Sequence, residues 1–472
     1  MTRPRVLLAA AVLAFAVGLG SLAVLQHLAF WTGRFDVGNL AQAVWSSAHG
    51  DLLQVTNLRG EQMSRLGAHF DPILLAFVPL WVLWPDPAAL LAAQAALVSL
   101  GAVPAFLLAR RHLDSEWVGL GFALAYLLYP ATQWLVLDDF HPVALAAPLL
   151  LFAIWFLDTD RLLAFAACAG LACLTKEQVG LTVAALGIWY ALARRRGRAG
   201  LAIAVVGVAV ALVASTVVVP HFAPGGGSPF ADRYAAVGGS PAAMLETLAR
   251  DPGAFVEAGA EPRDGRYALD LLWPLAGLPL LSPLALAATP ELALNALSSA
   301  PTQTSVHFHY TATLIPVLVA AAILGAARAR RRWAAGERIL SRAFVVTCIL
   351  GGVLLGPLPI WRHVPFGSEL AANEHVVGEH AAAAKRVLDR VPRGDPVSTT
   401  NTLGAHLSTR KRVLSFPRLG DARWVAVDES RPSTLDRAVD PEGLQIALDR
   451  LRADRRFRLV AQDDGVLLFR RV

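Results

Sequence analysis

The chain of 472 residues is 55% hydrophobic and 17% charged with a mean hydropathy of +0.50, which excludes an ordinary water-soluble globule and marks a polytopic membrane protein. Its pI of 9.6 comes from basic residues clustered beside apolar segments, the pattern that orients membrane helices, so nucleic acid is excluded as a partner. Cys168, Cys173 and Cys348 lie inside apolar runs and form no CxxC pair, so no disulfide framework and no zinc site are expected.

The apolar run 6–30 follows MTRPR and is longer than a signal-peptide core, so it predicts a retained first helix with its amino end in the cytoplasm. The run 88–109 ends in Arg110 and Arg111 and returns to the cytoplasm, leaving 31–87 as an outer loop. Within that loop, 73–84 is too short to span and is expected to be re-entrant or interfacial. The runs 117–137 and 143–157 go out and back. A single helix over 162–193 would be about 48 Å long against a core of about 30 Å. Both its ends are basic, so a hairpin with Lys176 and Glu177 at its outer tip is expected instead.

The run 201–219 leads to a polar outer loop, 221–267. Two proline-broken runs, 268–281 and 283–297, read as another hairpin, then 311–327 goes in to RARRR and 344–360 comes out. That makes about eleven crossings by bilayer-length counting. Residues 1–360 are thus a transmembrane domain. Residues 361–472, charged and with short alternating runs, predict a small extracytoplasmic α/β domain with helices over 374–391 and 444–452 and strands in RWVAVDES and FRLVAQDDGVLLFRRV.

Against this apolar background a few charges stand out, and charges at or near a bilayer are functional candidates by default. Val37, Leu40, Ala41, Val44, Trp45 and Ala48 form one stripe with Asn39, Gln42, Ser46 and Ser47 opposite, so the segment is expected to lie in the interface plane. Asp36 stands at its amino end, as an N-cap or as a reactive group. Asp71, before Pro72, has the arrangement of a helix cap. DDFHP places Asp138, Asp139 and His141 at the end of an outward helix, a set able to hold a divalent cation such as magnesium or manganese. Only Lys176, Lys385 and Lys411 are lysines among the 42 lysine and arginine residues. Lys176 therefore pairs with Glu177 or an aspartate, or meets a phosphate. His307 and His309 share a side only if extended, and His309 with Tyr310 reads as an interfacial belt. Glu291, after Pro290, suits a helix amino end.

The series FDVGNLAQAVW, HFDPILL, DDFHP, LTKEQVG, PEL and HFHY resembles, in spacing and order and over nearly the whole chain, a bacterial membrane-protein family catalogued as domain of unknown function 2079. Its architecture is in turn similar to the GT-C superfamily of membrane glycosyltransferases. That resemblance implies an acidic residue just after the first helix, matched by Asp36, and a second in the next outer loop, matched by Asp138 or Asp139. Neither the DE pair nor the WWD motif of two GT-C branches is present, so their donors and acceptors do not carry over.

The resemblance implies inverting transfer of a sugar from a polyprenyl-phosphate donor to an envelope glycan, lipid or protein outside a bacterial cytoplasmic membrane. Asp36 would be the base. Lys176, His309, or a cation on Asp138 and Asp139 would steady the departing phosphate, the apolar spans would hold the lipid tail, and the carboxyl-terminal domain would bind the acceptor. Two rivals remain. A secondary transporter or flippase of an envelope precursor would place its ionisable groups near the midplane with repeat symmetry. A non-catalytic envelope assembly protein would leave the charges as caps and ion pairs and tolerate Asp36→Asn.

Overall fold

The computed structural model describes residues 2–333, 337–439 and 443–472. Its first helix, Arg3–Leu28, starts on Pro4, whose missing N–H belongs to the unpaired first turn in any case. Among the described residues, three helices are long and apolar enough to cross a membrane alone: Arg3–Leu28, Pro87–Leu113 and Gly197–Phe222. Glu116–Leu128 and Pro130–Leu137 make a fourth if the pair, bent by 46°, is one span. The bend falls at Tyr129, held extended before Pro130, with its hydroxyl donating to Leu271 O at 2.6 Å.

The remaining apolar helices are shorter, among them Leu162–Cys173 and Val179–Ala193. These two flank Lys176 and Glu177. The runs 268–281 and 283–297, expected as a helical hairpin, instead contain the 3₁₀ turns Trp273–Leu275, Leu278–Leu281 and Pro283–Ala288 before a short helix, Thr289–Ala296. Pro274, Pro279, Pro283 and Pro290 each remove a backbone donor, so no long α-helix propagates there.

Val179–Ala193 and Gly197–Val213 pack through facing glycines. A Cβ at Gly180 would lie 2.4 Å from Gly207 O, and one at Gly207 would lie 2.6 Å from both Ala184 N and Gly180 O. Small residues let membrane helices approach this closely. Gly207→Leu is therefore expected to force the pair apart at a cost of about 1–3 kcal/mol, read as a lower melting temperature in detergent. An unchanged melting temperature would show that the contact is not close in solution.

The carboxyl-terminal part is a five-stranded sheet in the order β4-β3-β5-β7-β6. The strands are β3 (Val397–Thr399), β4 (Val413–Ser415), β5 (Trp424–Asp428), β6 (Phe457–Asp463) and β7 (Val466–Arg471). The first three are parallel, and β7 runs antiparallel to both β5 and β6. Alternation explains its two-sided burial. Trp424, Ala426, Val466 and Leu468 face the Glu379–Leu388 helix, whereas Val425, Val427, Leu467 and Phe469 face the Leu444–Ala453 helix. Phe30, just past the first helix, enters the former cluster.

The helix Asn39–Ala48 departs from the interfacial expectation. Asn39, Gln42 and Ser46 on its polar side are buried. Gln42 Nε2 donates to Arg410 O at 2.9 Å and Lys411 O at 3.1 Å, so the polar stripe faces the sheet domain rather than water. A small hairpin, β1 (Gln54–Thr56) with β2 (Gln62–Ser64), docks beside it, and Gln62 Nε2 also reaches Lys411 O, at 2.8 Å.

Candidate active site

Five residues after the first helix, a π turn, Arg34–Gly38, leads straight into Asn39–Ala48. Asp36 lies in this turn and makes no capping hydrogen bond, so the cap reading does not hold. Its carboxylate is 38% exposed and points at His141, with Oδ1 3.4 Å from Nε2.

Across from it, DDFHP folds back on itself because Asp139 takes a left-handed conformation (φ 53°) that aspartate tolerates better than most residues. Gln94, fully buried in the Pro87–Ser99 helix, pins the loop by donating to Asp139 O at 2.7 Å and accepting from His141 N at 2.8 Å. Asp138 Oδ2 accepts from His309 N at 2.7 Å and meets His309 Nδ1 at 2.9 Å. The His309 ring stacks on His141, with centroids 3.6 Å apart. Asp139 turns the other way and accepts from Gly33 N at 2.9 Å, just before the Asp36 turn.

The expected Asp138, Asp139 and His141 set is thus revised. Atoms of Asp138, His141 and His309 come within 4.8 Å of one another and are able to share a metal ion. One carboxylate with two imidazoles suits manganese or zinc better than magnesium, which prefers all-oxygen ligands. Burial raises the Asp138 pKa to about 6 and that of Asp139 further, with Asp36 adding to both. Burial also pushes the pKa of His309 well below its usual value. Burial alone would lower the pKa of His141, but Asp36, Asp138 and Asp139 outweigh it and hold it above the usual value.

Lys176 supplies the opposite charge. It is 8% exposed, with Nζ 5.0 Å from the Tyr310 ring centroid. Among the described residues it makes no hydrogen bond or salt bridge. Glu177 is not its partner: Oε1 meets His69 Nδ1 at 2.9 Å and Oε2 accepts from Phe70 N at 3.0 Å. Burial opposes ionisation of Glu177, yet His69 and Lys176 pull its pKa down to about 2. Asp71 does stand at the N-cap position of the Pro72–Phe77 turn, but its side chain makes no capping hydrogen bond; its Oδ2 accepts from Arg65 Nε at 2.9 Å, and burial still lifts its pKa to about 6. Glu291 is buried within the electrostatic reach of Lys176.

These groups enclose a pocket of about 70 Å³ lined by Asp36, Arg65, Asp71, His141, Lys176, His309 and Tyr310, among others. His309 and Tyr310 therefore face a site rather than a bilayer belt. His307 is turned away, edge-on to Trp134 at 5.0 Å. Two residues of the outer loop read as merely polar complete the roof. Phe230 stacks on His69 at 4.5 Å, and Arg233 lies over the Phe230 ring while donating to the Tyr310 hydroxyl at 2.9 Å. Beside the pocket an apolar groove of about 790 Å³ runs between Leu162–Cys173 and Gly197–Val213. Phe70 lines this groove, between His69 and Asp71, which line the pocket.

A helical membrane body with a charged mouth beneath a small α/β domain is a known architecture. The crystal structure of ArnT from Cupriavidus metallidurans bound to undecaprenyl phosphate is similar over 97% of both chains, with a TM-score of 0.54 and 15% sequence identity. This chain shares the fold of that protein. The protein belongs to the family of predicted membrane proteins DUF2079, which it matches over residues 26–468. No curated protein matches it.

Sequence reasoning missed Arg65, His69, Gln94, Phe230 and Arg233. His69 is the first residue of the HFDPILL motif, so its place there was a usable signal. Gln94 is a lone amide in an apolar helix, a feature that costs free energy unless bonded and so points to a partner.

Proposed function

We propose that this protein is an integral-membrane, inverting glycosyltransferase of the bacterial cytoplasmic membrane. It moves a sugar from a polyprenyl-phosphate donor to an extracytoplasmic envelope acceptor, with its amino end inside and its sheet domain outside. The observation that carries this reading is Lys176: a buried cation without a hydrogen bond or salt bridge among the described residues, placed where an apolar groove adjoins a carboxylate-lined pocket. A polyprenyl phosphate has that combination of long apolar tail and anionic head.

In the reaction an acceptor hydroxyl attacks the anomeric carbon as Asp36 removes its proton. The bond from that carbon to the phosphate oxygen breaks, and its electrons leave with the polyprenyl phosphate. Lys176, with Arg65 and Arg233 nearby, stabilises that charge without having to reorganise. Phe230 and Tyr310 restrict water. A divalent ion held by Asp138, His141 and His309 would supply further positive charge.

Purified protein in lipid, incubated with a panel of polyprenyl-phosphate sugars, is expected to release polyprenyl phosphate. No release from any donor, even with membrane extract as acceptor, would overturn the reading in favour of a transporter, flippase or assembly protein. The ion has its own test. Protein dialysed against manganese or zinc and then freed of excess is expected to retain about one ion per chain by elemental analysis, consistent with a three-ligand protein site. His309→Ala is expected to retain none, and equal retention by both would place the metal elsewhere.

A further inference from the structure

The parallel strands β3, β4 and β5 have the strand order in which a crevice opens at their carboxyl ends, the usual place for a ligand in an open α/β sheet. Here the chain's own Arg34–Gly38 turn lies against that edge. Asn401, two residues beyond β3, accepts from Phe35 N at 3.1 Å through Oδ1 and is itself fixed by donating its backbone N–H to Asp436 Oδ1 at 2.7 Å. Arg34, 3% exposed, extends its guanidinium to Ser415 Oγ at 2.7 Å, Thr56 O at 3.0 Å and Val413 O. It has no carboxylate partner among the described residues, so this buried cation is held by neutral oxygens from both halves of the protein.

The fit is close. A Cβ at Gly33 would lie 2.8 Å from Asn401 Nδ2, one at Gly38 would lie 2.6 Å from Ser408 Oγ, and one at Gly404 would lie 2.7 Å from the Arg34 Cβ. On its other side the same turn is tied by Gly33 N to Asp139. The flanks of Asp36 are therefore gripped by the sheet domain and by the second acidic loop, while its carboxylate stays free to face the pocket.

We infer that the carboxyl-terminal domain is part of the catalytic apparatus, with Asn401 and the oxygen cradle around Arg34 acting as positioning residues that set where Asp36 stands. This rests on Asp36 being the base and replaces the picture of the domain as a separate acceptor-binding module. Misplacement of a reacting group by about 1 Å costs on the order of 10²-fold in rate.

The experiment compares wild type, Asn401→Ala and Asn401→Asp in lipid, with the donor identified by the release assay and undecaprenyl phosphate as binding probe. Asn401→Ala is expected to lose on the order of 10²-fold in kcat, with the donor KM and undecaprenyl-phosphate affinity unchanged. Asn401→Asp keeps the accepting oxygen and is expected to recover most of the rate. Unchanged kcat in the alanine variant, or equal loss in both variants together with weakened binding, would overturn the inference. If wild type itself turns over no donor, the transferase reading fails, and the grip on the turn is then judged by hydrogen exchange over residues 33–38. Faster exchange in Asn401→Ala supports the grip, and identical exchange overturns it.

Discussion

Replacing Asp36 with Asn is expected to lower turnover about 10²–10⁴-fold, the range that a positioned general base contributes. The substitution is nearly isosteric. Asp36 is partly exposed and caps no helix, so its amide should leave stability within about 0.5 kcal/mol. Undecaprenyl-phosphate affinity should also persist, because the cations near the phosphate are Lys176, Arg65 and Arg233. Loss of turnover with intact binding and an unchanged melting temperature is the signature of the base. A variant that transfers at the wild-type rate would remove Asp36 from the chemistry.

The second large effect is expected at Lys176, and its two readouts should move in opposite directions. A buried ammonium with no hydrogen bond or salt bridge among the described residues destabilises the folded protein by its desolvation, which the more distant carboxylates of Glu177, Asp71 and Glu291 offset only in part. Lys176→Met keeps the length and removes the charge, so the melting temperature in the absence of lipid should hold or rise. Affinity for undecaprenyl phosphate should fall about 10- to 100-fold, since a hydrogen bond to a charged group contributes about 1.5–3 kcal/mol. Lys176→Arg is not expected to restore binding fully. Its planar head is wider than an ammonium and must fit over the Tyr310 ring in a small pocket. A structural ion pair at this position would give the reverse result, a loss of stability with binding untouched.

Hydropathy and charge made the membrane class legible, and the hairpin around Lys176 followed from length and the basic residues at both ends. Asp36, His141 and Lys176 stood out as groups that an apolar chain does not carry without reason, whereas His309 read from its neighbours as part of an interfacial belt. Their partners were not. The sequence places Glu177 beside Lys176, but backbone direction at the hairpin tip sends its carboxylate to His69 and Phe70. Asp139 looked equivalent to Asp138 until its left-handed backbone turned it toward Gly33. The strands β3 and β4 and the helix Asn401–His406 were invisible because three to six residues are too few to display a period. The polar stripe of Asn39–Ala48 was read correctly as polar and wrongly as wet, since periodicity does not distinguish water from a docked domain.

Arg34 and Ser415 are 381 positions apart, which sets an order of events during biosynthesis. At a synthesis rate of about 5–20 residues per second, roughly 20 to 75 seconds separate the emergence of the two. Through that interval residues 33–38 exist without Asn401, Val413 and Ser415, which hold Phe35 and Arg34. A polypeptide cut short by stalled translation or proteolysis before β4 would keep Thr56 O but lack Val413 O and Ser415 Oγ, two of the three oxygens that hold Arg34. The fold thereby ties the full grip on the Asp36 turn to synthesis of the sheet domain.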